Sequence, residues 1–392
     1  MIGTSLTIYG AVAVSRIAMQ VVASGLERKR VIPEVDYPKA TLIVPTYNEP
    51  LDIFARAMAS LSKLDYPDLE VIIVDDGSDN STEVARITDK AGFKYVWQPN
   101  AGKREAMYNG LSRSRKQSRV ILFSDSDTVW DKSAAKKLVD CLYEDSDTGA
   151  VTGEVAVLNH NYSVMTRIIG MRYHMAFHYE RAAQSYFKTV TCISGPLGAY
   201  RRTVIENIKE DFINQTFMNK PCTYGDDRHL TNLVLIDGWK VRYASKAKCY
   251  TQAPTKFIAL LKQQSRWGKS YWRELLWQAK ALNKHGVYLY YDFIVTAILP
   301  FLLIGSVMLH IGQALLGDSS ALVSLAYALA GMSLLRVLDP MIRNRDPWYL
   351  AFVLYAFVYF LVLLPVKVFA LFTMTTGKWG SRTSTSQISV AK

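Results

Sequence analysis

The chain has 392 residues, of which 50% are hydrophobic and 20% are charged, and its formal net charge is +12. The apolar residues are segregated. Between Phe293 and Leu335 the only Asp, Glu, Lys or Arg is Asp318, and between Ile2 and Leu26 it is Arg16. A membrane-spanning helix needs ~20 apolar residues, and both stretches reach that length. This distribution excludes a wholly soluble enzyme and a disordered or collagen-like chain, and it predicts an integral membrane protein with a substantial water-facing part.

The basic excess favours membrane lipid as a partner and argues against nucleic acid. Lys and Arg accumulate on the cytoplasmic side of membrane spans and attract anionic lipid. Nucleic-acid binding is the alternative for a basic chain, but the apolar stretches already account for the charge. The four cysteines are far apart and form no CxxC or Cys/His pattern, so we expect free thiols in a reducing compartment and no cysteine-based zinc site.

Residues 1–26 are predicted to form an N-terminal transmembrane helix. A signal peptide begins with basic residues and ends at a small-residue cleavage site. Here the order is reversed, because the cluster Glu27-Arg28-Lys29-Arg30 follows the apolar run. By the positive-inside rule this cluster stays in the cytoplasm, which leaves the N-terminus outside. We therefore expect an uncleaved anchor.

Residues 38–255 show an α/β pattern. Short β-branched runs at Ala40–Val44, Leu69–Val74 and Val120–Phe123 are each followed by polar turn residues. Helical stretches such as Ile53–Leu64 and Ser81–Lys90 lie between them. Strands that alternate with helices predict a parallel, Rossmann-like sheet, with ligands bound at the carboxyl ends of the strands.

Polar residues follow all three of these strands, at Thr46–Glu49, Asp75–Ser78 and Asp125–Asp127. The last of these is a DxD motif, whose two carboxylates can hold one divalent cation on a diphosphate. A DxD sequence alone is weak evidence, because it often marks a solvated turn, but the Asp75-Asp76 pair at the preceding strand end strengthens it. The chain has no P-loop and no GxGxxG motif. We therefore predict a nucleotide-diphosphate site without an ATPase or dinucleotide fingerprint.

Three further segments carry side chains suited to ligand binding or catalysis. The basic loop Asn100–Arg104 precedes a helix and can receive phosphate. Gly225–Arg228 offers a carboxylate suited to general-base catalysis. Gln263–Trp267 offers an indole face for a sugar ring and an arginine for a diphosphate. For each segment the ordinary alternative is a solvated loop, a surface turn or a helix face.

The C-terminal third is predicted to be membrane-associated. Residues 256–285 form a basic amphipathic helix that suits a membrane surface, although packing on the sheet is the alternative. Residues 286–338 contain two spans, Tyr288–Leu316 and Ala321–Leu338. A further apolar run, residues 347–375, precedes the tail 376–392.

Five ordered motifs resemble those of processive family 2 glycosyltransferases, and within that group the most similar are the hyaluronan synthases of the bacterial type (class I). The motifs are Asp75-Asp76-Gly77-Ser78, Asp125-x-Asp127, Ser194-Gly195-Pro196, Gly225-Asp226-Asp227-Arg228 and Gln263-x-x-Arg266-Trp267. The resemblance extends from about Ile8 to Arg382 and includes the closing sequence Trp379-Gly380-Ser381-Arg382. It implies a cytosolic α/β domain of the GT-A fold attached to transmembrane and interfacial helices.

The resemblance also implies roles for individual residues. Asp127 and Asp125 would hold Mg²⁺ or Mn²⁺ on the donor diphosphate. Asp227 would be the general base, with Asp226, Arg266 and Trp267 as the other catalytic residues. The implied donor-binding residues are Tyr47, Glu49, Asp76, Lys103, Asp125, Gln263, Arg266 and Trp379. The implied acceptor-binding residues are Ser194, Gly195, Pro196 and Trp267.

By this resemblance the chain would polymerise hyaluronan from UDP-GlcNAc and UDP-GlcA and secrete the growing polysaccharide through its own transmembrane channel. The alternative within the family is a chitin or chito-oligosaccharide synthase that uses UDP-GlcNAc alone. A transferase that moves one sugar to a lipid carrier, and a non-catalytic membrane scaffold, are the alternatives from other classes. The expected location is the plasma membrane, with several spans and a cytosolic catalytic domain.

The number of membrane crossings predicts the topology of residues 347–375. If the catalytic domain is cytosolic, the two preceding spans return the chain to the cytosol. A third crossing would place the Trp379–Arg382 motif outside, although the resemblance puts it near the active site. Pro365 and Lys367 also interrupt the apolar run, and a charge at bilayer depth is costly. We therefore predict an interfacial or re-entrant segment and a cytosolic tail; a tilted single span with an external tail is the alternative.

Overall fold

The computed structural model describes residues 2–375 of the chain. Its water-facing part is built on an eight-stranded sheet with the strand order β3-β2-β1-β4-β7-β6-β10-β5. The strands of this sheet are β1 Ala40–Thr46, β2 Leu69–Asp75, β3 Lys94–Trp97, β4 Val120–Phe123, β5 Val129–Trp130, β6 Thr148–Val157, β7 Gly198–Arg201 and β10 Lys240–Thr251; a separate small hairpin is formed by β8 Thr216–Phe217 and β9 Lys220–Pro221.

Helices cover both faces of the sheet and continue into the membrane part. In chain order they are α1 Ile2–Arg28, α2 Leu51–Leu61, α3 Ser81–Lys90, α4 Lys103–Ser112, α5 Ala134–Glu144, α6 Val164–Met175, α7 Ala182–Tyr186, α8 Arg202–Ile213, α9 Asp226–Ile236, α10 Phe257–Ala281, α11 Val287–Leu315, α12 Ser320–Asn344, α13 Phe352–Val358 and α14 Leu364–Phe372. A π-helical turn, Ala176–Arg181, joins α6 to α7, and a second one, Tyr359–Leu363, joins α13 to α14.

The three strands predicted from the sequence are confirmed, and β1 pairs in parallel with both β2 and β4. All seven residues of β1 and all four of β4 are buried, as expected for strands covered on both faces. The sheet is mixed, however, because β7 runs antiparallel to both β4 and β6. Gly198 at the start of β7 pairs with Phe123 at the end of β4, so the chain enters β7 from the site edge and has to run away from it.

Within residues 2–375, four helical segments are long and apolar enough to cross a membrane: Ile8–Arg28, α11, α12 and Pro347–Phe372. The two predicted spans of residues 286–338 correspond to α11 and α12, although α12 continues to Asn344. Segment Pro347–Phe372 is interrupted by a 3₁₀ turn at Pro347–Ala351 and by the second π-helical turn. Its length and composition suit a full span, so the predicted re-entrant course stays a prediction.

Helix α10 joins the sheet domain to the membrane helices. On one side it packs against α9, and on the other the indole of Trp272 donates a hydrogen bond of 2.9 Å to the carbonyl of Lys367 in α14. Close packing also requires Gly268, because a Cβ there would lie 2.9 Å from the Cβ of Ala370. The predicted helix 256–285 corresponds to Phe257–Ala281, followed by one 3₁₀ turn, and its buried side is a protein contact. Its position at the membrane surface stays a prediction.

Candidate active site

A cavity of about 1170 Å³ begins at the carboxyl ends of β1, β2 and β4 and continues between the membrane helices. Within the described part of the chain, every residue predicted to bind donor, metal or acceptor lines this one cavity. These residues are Tyr47, Glu49, Asp76, Lys103, Asp125, Asp127, Ser194, Gly195, Pro196, Asp226, Asp227, Gln263, Arg266 and Trp267. Trp379, the remaining predicted residue, lies outside the described residues.

The two carboxylates that follow β2 have different surroundings. Asp75 accepts hydrogen bonds from the backbone N–H of Ser78 at 2.9 Å and from the hydroxyl of Tyr95 at 2.8 Å, and it is fully buried. Asp76 faces the cavity and accepts the backbone N–H groups of Ala101 and Gly102 at 2.9 and 2.8 Å. Asp75 therefore holds the turn, whereas Asp76 is the member of the pair that a nucleotide can reach.

A tight backbone contact fixes this loop against its neighbour. Gly77 has a φ of +79°, a conformation that side chains with a Cβ rarely adopt. A Cβ at this position would lie 2.7 Å from the backbone nitrogen of Asn100. The loops after β2 and β3 can pack this closely only because residue 77 is glycine. On the other side, Glu49 is buried and accepts a hydrogen bond of 2.8 Å from the hydroxyl of Ser126, which joins the loops after β1 and β4.

The DxD motif lies at the end of β4 beside a lysine. The ammonium group of Lys103 donates a hydrogen bond to Asp125, and the hydroxyl of Thr128 lies 3.2 Å from Asp127. Burial by itself lowers the pKa of Lys103, but the carboxylates of Asp125 and Asp226 outweigh it and hold the pKa above its usual range. The amine is therefore a cation, and the DxD end of the cavity attracts positive charge.

The segment Ser194–Pro196 lies directly against this pair. A Cβ on Gly195 would come within 3.3 Å of both the Asp125 carboxylate and the Lys103 nitrogen. The backbone N–H of Ser194 donates to the hydroxyl of Thr152 at 3.1 Å, and the carbonyl of Pro196 accepts from the indole of Trp130 at 3.0 Å. The segment is thus held by its backbone, and its small side chains leave open space beside the DxD motif.

The two aspartates at the start of α9 also have different partners. Asp226 forms an ion pair with Arg104, whose guanidinium also donates to the carbonyl of Phe212 at 3.2 Å. The Asp227 carboxylate accepts the backbone N–H of Arg228 at 2.9 Å and faces the cavity. Burial raises the pKa of the Asp227 carboxyl, and Lys103 opposes part of the rise. A carboxylate with a raised pKa is a stronger base than an ordinary aspartate.

A buried polar network attaches α9 to α10. The Glu274 carboxylate is fully buried and accepts hydrogen bonds from Gln215 at 2.7 Å and from His229 at 3.0 Å. Asn232 donates to the carbonyl of Glu274 at 2.9 Å. Gly225, at φ +86°, completes the contact, because a Cβ there would lie 2.1 Å from the hydroxyl oxygen of Ser270. The helix that carries Asp227 is therefore fixed to the helix that carries Arg266 and Trp267.

The membrane end of the cavity has a different lining, which the sequence analysis missed. Among the described residues there, the basic side chains belong to Arg16, Arg172, Arg181, Arg336 and Lys367, and the acidic ones to Glu180 and Asp292. Arg16 lies 3.5 Å from Asp292, and Glu180 is paired with both Arg172 and Arg336. In the sequence, Arg16 is an isolated charge in an apolar run. Such charges usually face protein or water inside the membrane, so this residue was a signal for the lining.

The side chain of Lys367 lines the cavity and lies over aromatic rings of α10. Its ammonium group lies 4.0 Å from the ring centroid of Tyr271 and 5.4 Å from that of Trp272, both in α10. The lysine that interrupts the last apolar segment therefore contributes to the wall of the cavity, beside the helix of the Gln-x-x-Arg-Trp motif.

Comparisons with known proteins agree with this geometry. The profile of a family described as "Glycosyltransferase like family 2" matches residues 38–270. Human hyaluronan synthase 3 is 32% identical over 96% of this chain and 77% of its own length, and hyaluronan synthase 2 of Xenopus laevis is 31% identical over 96% and 76%. In fold, the chain is similar to a mannosyltransferase (PcManGT) from Pyrobaculum calidifontis solved in complex with GDP-Man and Mn²⁺, with a TM-score of 0.60, 19% identity and coverage of 90% of this chain and 99% of that one.

Proposed function

This chain belongs to glycosyltransferase family 2 as a homologue of the hyaluronan synthases, and from that premise we propose that it polymerises hyaluronan from UDP-GlcNAc and UDP-GlcA. It is a processive UDP-sugar glycosyltransferase of the GT-A fold. The proposal adds the identity of the two sugars and the route of the product, which passes outward between the membrane helices.

The observation that carries the proposal is the continuity of one cavity from the DxD carboxylates to the membrane helices. A transferase that moved a single sugar to a lipid carrier would not need a lined path of this length behind its acceptor site. The excess of basic side chains at the membrane end suits a polymer with a carboxylate on every second sugar, because arginine and lysine form charge-assisted hydrogen bonds with carboxylates. A chitin chain carries no such charge, so this lining favours the hyaluronan product.

The DxD site fits a divalent metal. Asp125 and Asp127 offer carboxylate oxygens at the end of one strand, and the pairing of Lys103 with Asp125 marks the place as one that binds a cation. Oxygen ligands of this type suit Mg²⁺ and Mn²⁺. The metal, when bound there, would neutralise charge on the diphosphate of the leaving UDP. Asp76, with Tyr47 and Glu49, would hold the uridine, and Lys103 the phosphates.

Asp227 would act as the general base. The acceptor hydroxyl, placed beside Ser194–Pro196, attacks the anomeric carbon of the donor sugar and transfers its proton to the Asp227 carboxylate. The bond from the anomeric carbon to the UDP oxygen breaks at the same time, and the α linkage of the donor becomes a β linkage. Asp226 is held by Arg104 and would position the turn that carries Asp227.

Helix α10 would complete the site. The indole of Trp267 is 43% exposed and lines the cavity, so it can support a sugar ring of the acceptor by stacking. Arg266 and Gln263 line the same wall one turn apart and would stabilise UDP as it leaves. We place the sheet domain in the cytosol, where UDP-sugars are made, and the helices in the plasma membrane.

The test is to supply the purified, reconstituted protein with each UDP-sugar singly and with both together. We expect polymer only when UDP-GlcNAc and UDP-GlcA are both present, and we expect hyaluronidase, but not chitinase, to degrade it. Asp227→Asn protein, prepared in the same way, is the matched control for contaminating synthases. Chain growth with UDP-GlcNAc alone would assign the chain to a chitin-type synthase.

A further inference from the structure

Outside the active-site cavity, Glu154, His174 and His178 bring their ligand atoms within 4.8 Å of one another. We propose that these three side chains bind a divalent transition-metal ion of the Zn²⁺ class, at the junction of the sheet and the membrane helices. This proposal does not depend on the identity of the sugars or of the catalytic base.

The arrangement of the three ligands suits zinc. His174 lies in α6 and His178 one turn further, in the π-helical turn, and their rings stack with centroids 4.1 Å apart. Glu154 is on β6, and its carboxylate lies 2.8 Å from the Nε2 atom of His178. Two histidines one helical turn apart are a common zinc chelate. Two histidines with one carboxylate form a known zinc ligand set that keeps a fourth position for water.

One existing ion pair would have to open when a metal binds. The Lys248 ammonium lies 3.1 Å from the Glu154 carboxylate and would have to leave when a metal arrives. Its side chain is 41% exposed and can move into solvent.

The position of the site indicates a structural role. The strand that carries Glu154 also carries Thr152, whose hydroxyl accepts the backbone N–H of Ser194 in the acceptor segment. The helical segment of His174 presents Arg172 and Glu180 to the cavity. A ring nitrogen of His174 lies 3.2 Å from the side-chain amide of Asn344 in α12. A metal here would therefore attach the acceptor side of the sheet to the helices that line the membrane end.

The experiment uses the full-length protein in detergent, stripped of metal with a chelator and then held in excess Mg²⁺ to occupy the DxD site. Zn²⁺ is added, unbound metal is removed and the bound zinc is counted by elemental analysis. We expect the wild-type protein to retain one more equivalent of zinc than the double variant His174→Gln/His178→Gln. His160→Gln, a histidine in the neighbouring turn that hydrogen-bonds the Val157 carbonyl, is the matched control and should retain it.

A second readout does not depend on the folding of the variant. In the wild-type protein, Co²⁺ added in place of Zn²⁺ should give the intense visible absorption of a four-coordinate site, and zinc-edge X-ray absorption should show two imidazole ligands. Zn²⁺ should also raise the thermal unfolding temperature of the wild-type and His160→Gln proteins. Equal zinc content in wild type and double variant, or zinc bound by oxygen ligands alone, would overturn the proposal and leave the glycosyltransferase function unaffected.

Discussion

The two ends of the cavity are built in different ways. The catalytic end is acidic, and its carboxylates stand in short segments directly after strands or at the start of a helix, as in Asp125–Asp127 and Asp226–Asp227. The membrane end is basic, and its charges come from several helices far apart in the sequence, such as Arg16 in α1 and Arg336 in α12. In the proposed mechanism, bond formation depends on compact motifs, whereas passage of the product depends on a surface assembled from distant helices.

The largest effect should come from the catalytic end. Asp227→Asn keeps the shape of the side chain but cannot accept the proton, so we expect transfer to fall by ~10²–10⁴-fold. Binding of UDP and of metal, measured by calorimetry, should stay unchanged. Asp237→Asn, an exposed aspartate next to the end of the same helix, is the matched control and should keep wild-type activity. An Asp227→Asn protein that elongates at nearly the wild-type rate would refute the base assignment.

The metal site should give the next largest effect. Asp127→Asn removes one anionic oxygen from the DxD pair, so we expect the Mg²⁺- or Mn²⁺-dependent affinity for UDP to fall by about tenfold or more, which is ~1.4 kcal/mol. Affinity measured in chelator should change little. The neighbouring Asp131→Asn serves as the control, because Asp131 does not line the cavity. Equal loss with and without metal would mean that Asp127 binds the nucleotide directly.

A smaller and different effect is expected at the membrane end. Lys367→Gln removes an amine that contacts aromatic rings and, within residues 2–375, forms no ion pair with a carboxylate, so it leaves no described acid without a partner. We expect the affinity for the growing chain to fall by about tenfold. This corresponds to the loss of one hydrogen bond to a charged group, which contributes ~1.5 kcal/mol. Gel analysis should then show shorter polymer, while the rate of UDP release from short chains is nearly unchanged. Arg343→Gln, an exposed arginine at the end of α12, should leave the length distribution unchanged.

The pH dependence of the reaction tests the role of Asp227 at the catalytic end. Because burial raises the pKa of Asp227, the carboxylate becomes protonated at a higher pH than an ordinary aspartate, whose pKa is about 3.9. Activity should therefore decrease as the pH falls through this raised pKa, and kcat/KM against pH should show the loss at a higher pH than an ordinary aspartate would give. A plateau that extends down to pH ~4 would contradict the assigned role.

The catalytic end could be predicted from the sequence and the membrane end could not, for a physical reason. Strands such as β1 and β4 are runs of buried aliphatic residues, and the turns that follow them supply the site, so local sequence places Asp76, Asp125 and Asp127 together. The short strand β7 carries a weak local pattern and was not predicted, which is why the mixed character of the sheet was missed.

No local pattern indicates that Arg16, Arg172 and Lys367 line one cavity. Their proximity depends on the packing of α1, α6 and α14 around the cavity, and only tertiary structure shows it. The isolated charge of Arg16 in an apolar run was a usable signal, because an unpaired charge in a span is costly. The contact between Glu154 and His178 could not be predicted either. The two residues come from a strand and a helical segment 24 positions apart, and only tertiary structure brings them together.

The central claim is that one cavity both makes the polymer and passes it across the membrane. Its most direct test is synthesis in sealed proteoliposomes in which the sheet domain of the enzyme lies on the outer side. Both UDP-sugars and Mg²⁺ are then supplied from outside. We predict that labelled polymer accumulates inside, resists hyaluronidase added outside, and becomes sensitive when detergent opens the vesicles. Polymer that is fully degraded by external hyaluronidase while the vesicles remain sealed would contradict the account.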